Sequence, residues 1–72
     1  MQAAKLQINQ TVRAVRGPGG ALQAERRFLG QRGRVVGVQE FRRACPCYVV
    51  EFEFDNAIEQ DTIDETCLEI AP

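Results

Sequence analysis

Seventy-two residues make one domain, close to the smallest size that a single hydrophobic core sustains. With 44% hydrophobic and 26% charged residues the composition excludes wholesale disorder, and no apolar run reaches the length of a membrane span. The net charge of −1 is not the uniformly basic profile of a nucleic-acid binder, and the absence of His removes the commonest general base and the commonest metal ligand together.

The near-neutral total hides an asymmetry. All nine Lys and Arg lie at or before Arg43, opposed there only by Glu25 and Glu40, which leaves +7; from Ala44 onward there are eight acids and no base, −8. If the two halves interleave as paired strands, these charges neutralise each other across the sheet; otherwise the surface is dipolar. The opening Met1-Gln2-Ala3-Ala4-Lys5 has neither the apolar block nor the small-residue cleavage site of a signal peptide, so a cytoplasmic location is expected. Three cysteines in that compartment do not make a disulfide framework.

In chain order, a first strand is expected over 6–16, with Val12 and Val15 as its apolar members. Gly17-Pro18-Gly19-Gly20 forces a turn in which Pro18 presets the second position and Gly19 takes the positive φ. Over 21–29, Leu22, Arg26 and Leu29 fall at helical spacing without a cap, so a helix and an irregular excursion both stay open. Gly30-Gln31-Arg32-Gly33 is a second turn, Arg34-Val35-Val36-Gly37-Val38 a β-branched strand, and 39–44 a polar hairpin tip. The clearest strand is Tyr48-Val49-Val50-Glu51-Phe52-Glu53-Phe54, apolar at every even position with Glu51 and Glu53 on the other face. Asp55-Asn56 begins a turn, 59–66 is an acidic stretch with at most one helical turn, and Cys67-Leu68-Glu69-Ile70 closes the fold with Leu68 and Ile70 inward. Short strands separated by Gly-rich turns predict an all-β fold, a small five-stranded SH3-like barrel, spanning 1–72 as one domain with 1–5 flexible.

Several groups of residues invite a chemical reading. Strand parity puts Cys45, Cys47 and Cys67 outward, as a possible thiol site; Pro46 is able to bend the strand and turn the first two inward. The thiols are too few for a structural zinc site and lack Cys-x-x-Cys spacing, so neither a metal nor a cofactor is expected. Asp61, Asp64 and Glu65 lack the ligand spacing of a calcium loop and read as a solvated acidic face that attracts a basic protein partner, with Arg42 and Arg43 as the opposite pole. Gly30-x-x-Gly33-x-Val35 resembles the turn-plus-strand signature of KOW modules, which with six nearby arginines implies an RNA-binding alternative; the acidic second half argues against nucleic acid. No residue pattern for catalysis emerges, and the chain is expected to be a binding protein and not an enzyme.

The pattern as a whole resembles the PetP family, small SH3-like peripheral subunits of the cytochrome b6f complex in cyanobacteria and red algae. Ile8-Asn9-Gln10-Thr11-Val12-Arg13-Ala14 is similar to that family's Ile-Gly-Gln-x-Val-Arg-Val opening. Leu29-Gly30-Gln31-Arg32-Gly33-Arg34-Val35-Val36-Gly37-Val38 is similar to its Leu-Gly-x-x-Gly-x-Ile/Val-x-Gly-Phe run. Tyr48-Val49-Val50-Glu51-Phe52 follows its Val-x-Val-x-Phe strand, and Asp64-Glu65-Thr66-Cys67-Leu68-Glu69-Ile70 its acidic closing segment. Gln60-Asp61-Thr62-Ile63 stands where the family has Trp-Phe-Phe, and Arg42-Arg43-Ala44-Cys45-Pro46 replaces its Gly-rich hairpin tip. The resemblance implies a non-catalytic accessory subunit docking on a protein partner in a multi-subunit photosynthetic redox complex. It implies a cytoplasmic position peripheral to the thylakoid, with membrane contact only through the partner. Shorter stretches resemble the NifZ family of nitrogenase accessory proteins, from Gly33 to Phe52, and the variable chain of ferredoxin–thioredoxin reductase.

Overall fold

The computed structural model describes residues 6–39 and 46–72. Five strands, β1 (Thr11–Ala14), β2 (Arg32–Gln39), β3 (Cys47–Phe54), β4 (Ala57–Asp64) and β5 (Leu68–Ile70), form one antiparallel sheet in the order β4-β3-β2-β1-β5. A long loop between β1 and β2 carries one 3-10 turn, Arg26–Phe28, and a second, Glu65–Cys67, links β4 to β5. This is the SH3-like arrangement predicted above. The register of β2 against β3 shifts between Val35 and Gly37, and that bulge bends β2 so that it serves both halves of the sheet.

The core follows strand parity. Val12 and Ala14 from β1, Val35 from β2, Tyr48, Val50 and Phe52 from β3 and Ile63 from β4 are all buried. Phe28, carried in by the 3-10 turn of the long loop, stacks on Phe52 with ring centroids 4.4 Å apart and meets Phe54 edge-on at 6.0 Å. The β3–β4 hairpin turns on Asp55 and Asn56, both at positive φ, the two-residue turn whose twist matches that of its strands.

The charged halves do interleave. Arg13 faces Glu69 across β1–β5 with an N···O distance of 3.5 Å, and Arg34 faces Glu51 across β2–β3 at 3.3 Å.

Several expectations need correction. β1 is only four residues long, because Asn9 sits at φ 73° and Gln10 folds its side chain back onto the Gln7 N–H. The turn after Gly17 runs one residue later than expected: Ala21 N–H donates to Pro18 O, and Gly20, not Gly19, takes the positive φ. The stretch 59–66 is strand as far as Asp64, and its helical turn starts only at Glu65. Ile70 keeps inward parity opposite the buried Val12, yet it is 65% exposed, because β5 is an edge strand at the mouth of the barrel. The hairpin tip beyond Gln39 lies outside the described residues.

Candidate functional site

The three carboxylates expected on a solvated docking face each hold a bond within the fold. On β4 the inward row reads Glu59, Asp61, Ile63, so two acids stand where a core strand would carry apolar residues. The long loop satisfies both. Arg27 places its guanidinium fork on Glu59, with two N···O distances of 2.6 Å, and Glu25 N–H donates to Asp61 Oδ2 at 2.9 Å. Asp64 is buried, not solvated: its carboxylate accepts from the Thr66 N–H and hydroxyl, capping the second 3-10 turn. Glu65 accepts the Tyr48 hydroxyl at 2.6 Å, and the same oxygen of Tyr48 accepts the Leu6 N–H at 3.2 Å. A buried phenol thus ties the N-terminal segment to the turn before β5.

Arg27 does more than pair with acid. Its guanidinium lies 4.6 Å from the Phe28 ring centroid while Nε donates to Glu25. The hydrogen bonds to Glu59 and then Glu25 raise its already high pKa, so it stays charged wherever the protein is folded. Exposed ion pairs are screened by solvent; the bidentate geometry serves mainly to fix the loop over the aromatic cluster.

Of the thiols, Cys47 and Cys67 are fully buried, and Cys45 lies outside the described residues, as do Arg42 and Arg43. The outward placement by parity fails at Cys47, where Pro46, Cys47 and Tyr48 are buried in succession, and at Cys67, which lies in the second 3-10 turn and not in β5, so that strand parity does not reach it. Among the described residues no group of three or more His, Cys, Asp or Glu is placed to hold a metal ion. Cys67 packs in the hydrophobic core as a small hydrophobe. In a Cys45→Ser background, a bulky thiol reagent is expected to label neither Cys47 nor Cys67 under native conditions and both after denaturation. Rapid native labelling of either would show that the sulfur is accessible.

On the sheet, the accessible surface is the outer face and the edges. Shallow grooves are lined by Arg32, Arg34, Glu51 and Glu53 on one part of that face, and by Leu6, Glu65, Leu68 and Ile70 at the barrel mouth. Ile58, on β4 opposite Glu53, is 67% exposed. Its apolar character was readable in the sequence; its exposure follows only once β4 is known to be a strand with Ile58 on the outer row.

These features define the class of protein as an SH3-like barrel that offers shallow grooves and open strand edges. The chain matches no protein-family model, no curated protein and no solved structure.

Proposed function

We propose that the protein is a non-catalytic accessory subunit that docks on a protein partner in a multi-subunit electron-transfer complex of cytochrome b6f type. One observation carries this reading: the separate stretches that resemble the PetP family form a contiguous unit. Asn9 N–H donates to Val35 O at 2.7 Å and Val35 N–H to Gln10 O at 3.0 Å. Beyond them Thr11, Val12 and Arg13 pair with Arg34, Gly33 and Arg32, and β3, the third such stretch, lies on the other side of β2. Motif residues far apart in the chain therefore support one another in space, as residues of a shared fold and surface do. Fold likeness alone does not fix a partner.

The reading is tested by tagging the chain in a phototrophic host and purifying it from membranes in mild detergent. Subunits of the cytochrome b6f complex are expected to enrich with it. Enrichment of nitrogenase assembly proteins, or of RNA, would transfer the protein to one of the other two classes. No enrichment of a redox complex would refute the reading outright. Charge reversal at Asp61, Asp64 and Glu65 is a poor probe of docking, since those groups hold the fold. Glu53, which forms no ion pair among the described residues and lies on the exposed face of β3, is the better position.

A further inference from the structure

β4 stands at one end of the sheet, with β3 as its strand neighbour. In an antiparallel strand the backbone groups of alternate residues face opposite edges. Asp64 N–H donates to Leu22 O of the long loop at 2.9 Å, so at Asp64 these groups face away from β3. At two-residue steps, Thr62, Gln60 and Ile58 present their N–H and C=O on that same free edge. Among the described residues no backbone partner meets them there. The loop therefore fills one rung of a ladder and leaves the next three open. A shallow groove lined by Leu22, Gln39, Val49, Gln60, Asp61 and Thr62 crosses from β2 over β3 to β4 and takes in two of those rungs, Gln60 and Thr62.

Open edges of this kind pair with extended chains unless something blocks them, and β4 carries no Pro and no Lys. Charge selects the occupant. From Ala44 onward the chain has no base, Glu53 and Asp55 have no ion pair among the described residues, and Asp61 is bonded to an N–H and not to a cation. A second copy of this chain supplies no complementary cation: antiparallel β4–β4 pairing centred on Gln60 would set Asp61 opposite Glu59 of the other copy, whose Arg27 is already engaged by that Glu59. A partner strand bearing Lys or Arg meets the same groups with opposite charge, and Ile58 offers it an apolar contact.

We propose that the free edge of β4, at Ile58, Gln60 and Thr62, takes an extended Lys- or Arg-bearing segment of another protein as a sixth strand. The inference stands on the edge geometry and holds whatever complex the protein serves. The probe is a synthetic peptide of alternating Val and Lys, titrated into the full chain and followed by amide hydrogen exchange. Added protection is expected at Ile58, Gln60 and Thr62 and not at Glu59 and Asp61, whose amides already face β3. Gln60→Pro removes one outward N–H and leaves the β3 ladder whole, a position where an edge strand tolerates Pro. It is expected to weaken binding about tenfold. N-methylating the peptide along one edge at a time makes the same test without altering the protein: one edge abolishes binding and the other spares it. The proposal is overturned by no binding, by binding without the alternating protection, by equal affinity for an alternating Val and Glu peptide, or by indifference to edge methylation. Self-association that protects the same three amides would assign the edge to a second copy instead.

Discussion

Phe52→Ala is expected to remove most of the stability of the fold, so that the chain unfolds in mild denaturant in which the parent is native. Phe52 is buried on β3, and its ring lies nearly parallel to that of Phe28, with an interplanar angle of 6°. Removing it opens a cavity beneath Phe28 and takes away the platform on which the long loop rests. Truncating a buried Phe costs about 3–5 kcal/mol. A domain of this size has a total stability near the lower end of about 5–15 kcal/mol, so that loss consumes most of it. Chemical denaturation followed by circular dichroism reads the result, and a midpoint equal to the parent's would mean that the ring is not part of the core. Loss of the loop's anchorage should show as well, in faster exchange of the Asp64 amide, which Leu22 holds.

Gly33→Ala is expected to destabilise strongly, against the usual preference for Ala over Gly inside a strand. A Cβ at Gly33 would lie 2.6 Å from Val50 Cγ1, 2.9 Å from Glu51 O and 2.9 Å from Phe52 Cδ1. The carbonyl belongs to the β3 backbone and has no rotamer by which to escape, so the methyl must separate β2 from β3. Overpacking of this kind costs about 1–3 kcal/mol, and each kcal/mol lowers the melting temperature of so small a domain by about 4–8 °C. Gly37→Ala is the matched control on the same strand, because its nearest contact is 3.5 Å away at Val49 Cβ. Equal melting temperatures for the two variants would disprove the close approach of β2 and β3 at Gly33.

The elements that the sequence announced are those whose own residues contain the whole signal. β3 keeps every even position from Tyr48 to Phe54 apolar, and of these Tyr48, Val50 and Phe52 are buried. Asp55-Asn56 names its turn by composition, and both residues adopt the positive φ that such a turn requires. β4 was illegible for a physical reason. Its inward row carries Glu59 and Asp61, which cancels the period-two apolar pattern, and the groups that make those acids tolerable are Arg27 and the Glu25 N–H, more than thirty residues upstream. The candidate site was harder still. Carboxylates at Asp61, Asp64 and Glu65 look like a free acidic surface until their bonds to Glu25, Thr66 and Tyr48 are known. The edge at Ile58, Gln60 and Thr62 is a property of the backbone, and side-chain pattern has no means of declaring it.

The pairing of Val12 with Ile70 has a consequence for the order of events when the chain first folds. The β3–β4 hairpin closes over two residues and needs almost no loop entropy, whereas β1 must wait for a strand more than fifty residues downstream. Local contacts therefore form early, and the β1–β5 seam is the slow, late step, as topologies dominated by distant pairings dictate. During synthesis β1 and β2 emerge first, but Val12 and Ala14 have no cover from β5 until Leu68–Ile70 has cleared the ribosome. Until then the nascent chain exposes part of its core as well as a strand edge, and its vulnerability to aggregation is greatest in that interval.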